Sequence, residues 1–368
     1  MSFAFLKTVA FRNLADEEND LRGKDVFLVG ENGQGKSNFL EALYFCSYAS
    51  SFRRVKDKDL IQNGEKNCSA FLSFDSSLYS NINVTLKDGE KIISLDEKKI
   101  KDRKDLLSVA PSIVFCHEDM EFISGTPEKR RWFFDQTRSL WDPLYLDDLR
   151  KYRYVLKTRN ALFRGRKAAS GDNRIDNETT AVLDALDPQM ALYGLELSAK
   201  RRETAEEFSL VFENLYRDIS GIAGIGVKYQ PSWKEENIDQ IISKLSEKRE
   251  TDFSAGVSLS GPHRDHYLFT KKGEEFSVKA STGQRRLLAL LLRIAQTIFF
   301  SKKTAKKPVL LLDDVLLELD GEKRQKFLSA MPEYEQAFYT FLPEEPYNKY
   351  RKYDTIVYYV DSGRLKLV

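Results

Sequence analysis

A chain of 368 residues, 42% of them hydrophobic, is long enough for two or three domains and apolar enough to bury real cores, which excludes a disordered or low-complexity protein. Its 58 Lys and Arg against 56 Asp and Glu leave a formal net charge of +2, so no global field draws it to nucleic acid and any such role must rest on local clusters. Cys46, Cys68 and Cys116 lack CxxC spacing, which argues against a disulfide framework or a zinc site, and the most apolar run, Leu287 to Phe300, carries Arg293 and is too short to span a membrane.

The opening MSFAFLKTVAFRN lacks the charged start, long apolar run and small-residue cleavage site of a leader, so a cytoplasmic protein is expected. Phe3, Phe5, Val9 and Phe11 are compatible with strand alternation. The apolar run Val26 to Val29 ends at a glycine, and Leu40, Leu43, Tyr44 and Ser47 then fall at helical spacing, which predicts strand, glycine-rich loop, helix. Cys68 to Leu95 suggests short strands with a turn at Lys87 to Gly89, an antiparallel meander. From Thr126 a strongly charged, helix-forming stretch reaches about Ser220. Within it Phe208, Val211, Phe212, Leu215, Tyr216 and Ile219 repeat by three and four, and Ala168 to Thr180 forms a polar loop, the pattern of a short, coiled-coil-like helical hairpin. Past Gly221 a strand, GVKYQP, and an amphipathic helix, IDQIISKLSEKRE, lead back to strand-rich text that closes in a hairpin, TIVYYVDSGRLKLV. The expected division is a head in two parts, 1–122 and 246–368, with a helical lobe, 123–245, inserted between them.

The chemistry starts at Gly30-x4-Gly35-Lys36-Ser37, a P-loop with the strand before and the helix after that this pattern requires. Backbone N–H groups over Gly30, Glu31, Asn32, Gly33, Gln34, Gly35 and on to Asn38 would cradle phosphates. Lys36 would reach the β- and γ-oxygens of ATP, and the Ser37 hydroxyl would hold Mg2+. PVLLLDD supplies the acidic strand end: Asp313 for the metal, Asp314 to orient or deprotonate the attacking water. Ser281, Gly283 and Gln284 open an apolar helix 32 residues before Asp313 (313 − 281). Alone they suit a capped core helix; after a P-loop and before an acidic strand they match the segment that one ABC-type head places over a nucleotide held by another. The fold class expected is therefore α/β, an ABC-type P-loop ATPase head with a mixed parallel and antiparallel sheet and an inserted helical lobe.

Several motifs together resemble the RecF family of bacterial recombination and gap-repair ATPases: FRNL (Phe11 to Leu14), GENGQGKSNFLEAL (Gly30 to Leu43), SFR (Ser51 to Arg53), SGTPEKRRWFFD (Ser124 to Asp135), SGPHRDH (Ser260 to His266), the S-x-G-Q-x-R segment (Ser281 to Arg286) and LLLDDVLLELD (Leu310 to Asp320). The resemblance covers nearly the whole chain in the family's order. It implies an ATP-dependent homodimer, ATP-dependent binding to double-stranded DNA or to junctions of single- and double-stranded DNA, weak, DNA-stimulated hydrolysis, and work with RecR and RecO in loading RecA onto gaps. Leu317 stands where the family has Ser, and His266 replaces an acid. QAFYTFL carries no switch histidine of the transporter kind and keeps the family's threonine at the strand end.

The basic run Arg150 to Lys167 has no acid and interleaved aromatics. Arg159, Arg164 and Arg166 in it, with Arg53 and Arg54 in the head, are the candidate DNA contacts, against the plainer possibility of solvated faces. His263 fits a structural hydrogen bond or a place near the nucleotide interface. The competing functions are the energising ATPase subunit of a transporter, a long-armed chromosome-organising ATPase, for which the intervening segment is too short, and a small-molecule kinase, which leaves the Ser281 segment unexplained.

Overall fold

The computed structural model describes residues 2–76, 78–170, 175–315 and 321–368, so Leu317 lies outside the described residues. The chain forms two compact units, Met1–Met120 with Arg286–Val368, and Glu121–Arg285. The first opens with β1 (Ser2–Val9), β2 (Glu18–Asp20), β3 (Asp25–Val29), α1 (Lys36–Tyr48), β4 (Cys68–Asp75), β5 (Asn81–Lys87), β6 (Glu90–Leu95), β7 (Lys98–Lys99) and β8 (Ser112–Phe115). The second holds α2 (Glu121–Ser124), α3 (Pro127–Ser139), α4 (Tyr145–Ser170), α5 (Asn177–Ser220), β9 (Ile225–Gln230), α6 (Ile238–Glu247), α7 (Arg249–Ala255), β10 (His266–Lys271), β11 (Glu274–Glu275) and α8 (Phe276–Lys279). Helix α9 (Thr282–Thr304) leads back to the first unit, completed by β12 (Val309–Leu312), α10 (Gly321–Ser329), β13 (Gln336–Phe341), β14 (Thr355–Asp361) and β15 (Arg364–Leu367).

Two sheets build the first unit. One is antiparallel, in the order β2-β1-β4-β5-β6-β7. Every second residue of β4 is buried, the alternation of a sheet with one face on a core. Asp88 at φ 51° and Gly89 at φ 81° join β5 to β6 through the two-residue left-handed turn that suits twisted strands. The other sheet, β15-β14-β3-β13-β12-β8, is parallel except for β15. Its central strands DVFLV, VLLL and QAFYTF are buried at every position, as expected where both faces are covered. The charge inside the apolar α9 is matched: Arg293, 3% exposed, donates to Asp119 Oδ1 through Nη2 at 2.6 Å and Nε at 3.0 Å.

In the second unit α4 packs against α5, and α5 faces the indole of Trp233. A Cβ at Gly194 of α5 would sit 2.4 Å from the Trp233 ring, so only glycine admits that approach. The polar loop expected from Ala168 to Thr180 is shorter: α4 runs to Ser170, and α5 restarts at Asn177, capped by Asp176 Oδ1, which accepts from the Thr179 N–H at 2.6 Å. The sequence returned the chain to the head at 246, but the compact units return it at Arg286. The cause is pairing invisible to a local window: β10 pairs with β9 from His266↔Gln230 to Lys271↔Ile225, and α7 packs on α4, which keeps 246–285 with the lobe.

Candidate nucleotide site

The glycine-rich loop follows the carboxyl end of β3, between β13 and β14, and the chain's last hairpin holds it in place. Gly363 N–H donates to Gln34 O at 2.8 Å and Ser362 N–H to Gln34 Oε1 at 2.7 Å. A Cβ at Gly30 would lie 2.3 Å from Val360 O, so this position must be glycine. Gly33 (φ 80°) and Gly35 (φ 116°) need the left-handed freedom of glycine to turn the backbone into α1. Helix α1 begins with no side-chain cap and no acid in its first turn, whereas α5 and α6 are capped by Asp176 and Asn237. Its first N–H groups are left for an anion, which the helix dipole also favours.

Lys36, 4% exposed, folds over the loop and donates to Gly30 O at 2.6 Å and Glu31 O at 3.0 Å, which leaves its third N–H for a phosphate oxygen. Ser37 donates to Asp313 Oδ1 at 2.6 Å, so the two groups expected to share a metal are in contact. A hydroxyl oxygen beside a carboxylate is a hard-oxygen donor pair that suits Mg2+ completed by nucleotide oxygens and water. Burial pushes the Asp313 carboxyl up to about 6, opposed by the Ser37 hydrogen bond. Asp314 holds a left-handed backbone, φ 53°, stabilised by one residue: its N–H donates to Thr340 Oγ1 at 2.7 Å, and the Thr340 hydroxyl donates back to Asp314 Oδ1 at 2.7 Å. The carboxylate is thereby held through one oxygen.

Residues outside the candidate set brace the loop. Asn13 Nδ2 donates to Gly33 O at 3.1 Å, and Asn13 Oδ1 accepts from Asn38 Nδ2 at 2.7 Å. Glu41, fully buried, accepts from Arg12 at 2.9 and 3.1 Å and from the Ser51 hydroxyl, with Arg53 at 3.5 Å. FRNL, NFLEAL and SFR thus meet around one carboxylate. Arg53, expected as a DNA contact, is tied into this brace and donates to Asn38 Oδ1 at 2.8 Å. Arg54 is exposed.

Ser281, Gly283 and Gln284 start α9 in the second unit. Ser281 Oγ accepts from the Gln284 N–H at 3.3 Å and Gln284 Oε1 from the Ser281 N–H at 2.9 Å, a reciprocal capping box. The capped-helix expectation therefore holds, and Ser281 and Gly283 remain exposed.

The structure corrects the basic hairpin. Arg159 is not on the surface: fully buried, it donates from Nε to Asp187 at 2.9 Å and from Nη1 to Asp252 at 2.6 Å and Ser258 at 2.7 Å, with its guanidinium 4.7 Å from the Phe163 ring centre. A side chain so enclosed cannot reach a DNA phosphate. Arg166 is paired with Glu178 at 2.5 Å, and Arg164 is exposed. Two family motifs also meet in a core. Asp135 of RRWFFD receives both Nε and Nη2 of Arg201 at 2.9 Å, and the same guanidinium reaches Asp265 of GPHRDH at 2.9 Å. His263 accepts from or donates to Tyr152 OH at 2.7 Å and Ser258 O at 2.9 Å. Since a carbonyl only accepts, Nε2 carries the proton and Nδ1 accepts from the tyrosine. Burial pulls this imidazole down to about 4, the state of a structural residue.

Comparison with known proteins agrees with this geometry. Residues 4–362 match the family model described as RecF/RecN/SMC N terminal domain. The DNA replication and repair protein RecF of Treponema pallidum (strain Nichols) is 39% identical over 360 residues, 97% of this chain and 99% of that one. The RecF of Leptospira interrogans (strain 56601) is 31% identical over 344 residues, 91% of each. A solved structure of the recombination mediator protein RecF with ATP, of the RecFOR pathway, superposes with a TM-score of 0.86 at 25% identity, covering 100% of this chain and 97% of that one. The Smc head domain of Pyrococcus furiosus, at 17% identity and a TM-score of 0.53, covering 100% of this chain and 95% of that one, shares the fold.

Proposed function

The chain belongs to the RecF family of DNA replication and repair proteins, and from that premise we propose that its nucleotide site is a latch closing two copies over DNA. The observation that carries it is the contact of Ser37 with Asp313 at 2.6 Å beside an uncapped helix start and a poised lysine. Together they bind ATP with Mg2+, which neutralises charge on the phosphates. Asp314, held by Thr340, orients the water. A second copy supplies the exposed Ser281 and Gly283 in this reading: the Ser281 hydroxyl, whose oxygen already accepts from its own helix, still has its proton to donate to a γ-phosphate. ATP then bridges two chains, and hydrolysis removes the bridging group and loosens the pair.

DNA is the proposed ligand of the closed pair. With Arg159 buried, the candidate contacts on α4 are the exposed Arg153, Lys157 and Arg164, spaced by four and seven residues along one helix face, with Tyr154 beside them, 72% exposed. Kinship with the RecFOR-pathway protein supports partnership with RecO and RecR, and action in the cytoplasm is part of the same proposal. Among the described residues no helix is long and apolar enough to cross a membrane, and relatives that match over 97% of the chain as DNA repair proteins leave a transporter subunit without support. ATP turnover measured with and without gapped duplex DNA tests the proposal. Stimulation by DNA and an ATP-dependent gel shift support it; turnover indifferent to DNA overturns it.

A further inference from the structure

A cleft of about 640 Å³ opens in the first unit beside the residues that lead into β3, β12, β13 and β14, and its lining reaches along the sheet to Phe341 at the carboxyl end of β13. That volume lies within the range of small ligand and peptide sites. Its floor is aromatic. Phe27 meets Tyr339 and Phe341 edge to face at 5.4 and 4.9 Å, and Tyr350 stacks on Phe341 at 6.2 Å with planes 11° apart. Leu328, Met331 and Pro332 add an apolar wall, and the rim carries Lys24, Lys307, Lys349, Arg351 and Lys352 against Asp25 and Glu333.

Several of these charges have partners. The buried Asp25 accepts from Tyr334 OH at 2.7 Å and pairs with Lys352 at 3.1 Å. Lys24 donates to Tyr334 O and Glu335 O at 2.5 and 2.9 Å, and Lys307 pairs with Glu333 at 2.9 Å. The exposed side chains of Lys349 and Arg351 meet no acceptor among the described residues. They belong to YNKYRKY, Tyr347 to Tyr353, in which cations alternate with tyrosines and Tyr353 is fully exposed.

Basic and aromatic residues together suggest either nucleic acid or an acidic peptide, and ring geometry decides between them. Nucleobases need open aromatic faces. Within the cleft the Tyr334 ring is approached by the ammonium groups of Lys24 at 5.0 Å and Lys352 at 5.7 Å, and one Tyr350 face lies on Phe341, while the exposed Tyr353 ring lies outside the lining. What remains is an apolar hollow bordered by unpaired cations, complementary to a side chain flanked by carboxylates. We propose that this cleft docks an acidic segment of a partner protein, with an aromatic or branched apolar side chain on the floor and carboxylates on Lys349 and Arg351. No residue of the P-loop lines the cleft, and the Phe341 carbonyl on its floor accepts from the Gly30 N–H at 3.1 Å, so the two sites are neighbours with separate side chains.

The test uses the full chain and a fluorescein-labelled peptide, Glu-Asp-Phe-Asp-Glu-Leu, read by fluorescence anisotropy at low salt, with the amide analogue Gln-Asn-Phe-Asn-Gln-Leu as control. Saturable binding is expected, weakened roughly tenfold by Lys349→Glu with Arg351→Glu and by a similar factor in the amide peptide, as for charges that pair across an interface. ATP binding and thermal unfolding of the variant should match the parent, because both side chains are exposed. Absence of saturable binding, or equal binding by the double variant, overturns the proposal. Displacement of the peptide by single-stranded oligothymidine, whose own affinity falls in the variant, also overturns it and makes the cleft a nucleic-acid site.

Discussion

The sharpest consequence of the fold concerns Arg159. Replacing it with Ala removes the one cation that Asp187 and Asp252 share at 2.9 and 2.6 Å, all three side chains being 0% exposed. Asp187 keeps Arg249 at 2.8 Å, but among the described residues Asp252 is left with the Leu259 N–H at 3.0 Å and a hydroxyl network that has lost its centre. Removing one partner of a buried pair costs about 3–5 kcal/mol, because an uncompensated charge stays in the interior. For a unit the size of Glu121–Arg285, where 1 kcal/mol moves Tm by roughly 2–4 °C, the loss should be about 6–20 °C. The assay pairs thermal unfolding with DNA binding at a temperature where the variant is folded. A large drop in Tm with undiminished DNA affinity is expected. An unchanged Tm together with lost DNA affinity would refute the burial argument and return Arg159 to the DNA interface.

Thr340→Val keeps the side-chain shape but removes the hydroxyl that holds Asp314, so turnover should fall about 10- to 100-fold with ATP affinity unchanged; equal losses in both would make Thr340 a binding residue. The raised folded-state pKa of Asp313 has a definite sign. In the nucleotide-free protein the group favours the fold below its ordinary carboxylate range, and that contribution is lost as pH rises through about 6. Asp313→Asn should therefore raise the Tm of the nucleotide-free protein at pH 7.5 relative to the parent and leave it nearly unchanged at pH 4, while Mg2+-ATP affinity drops. A variant no more stable at pH 7.5 would show that burial does not govern this carboxyl. Neutralising Arg153, Lys157 and Arg164 together should weaken DNA binding and lower its salt dependence by about three counterions, since each contact releases roughly one, and an unchanged salt slope removes that face from the interface.

Much of the nucleotide site was legible in the sequence because its signals are local. The run from Val26 to Ser37 announces strand, loop and helix, and VLLLDD announces a buried strand meeting solvent. Arg159 was misplaced for the opposite reason. Its run contains no acid, and the carboxylates that bury it lie 28 and 93 residues away. The motifs RRWFFD and GPHRDH carried family kinship but gave no hint of their task, since the residue joining Asp135 to Asp265 is Arg201, in the middle of a 44-residue helix. Asn13 could have been suspected from FRNL, but its hydrogen bond to the P-loop follows only from the tertiary fold, which brings the segment after β1 to Gly33. The Thr340 clamp required the register of β13 beside β12, which pairs Leu312 with Tyr339 and so brings the next residue to the acidic strand end.

The central claim is that each nucleotide is closed by two chains, and mixing two disabled variants tests it most directly. Lys36→Arg weakens the phosphate grip, and Ser281→Arg fills an exposed helix start without touching the P-loop. Light scattering with Mg2+-ATP should find each variant monomeric and nearly inactive alone. Their mixture should form dimers and recover part of the turnover, because the intact Ser281 of one chain completes the intact Lys36 site of the other. Full ATP-driven dimerisation and turnover by Ser281→Arg alone, or a mixture as inert as its parts, would contradict the two-chain latch.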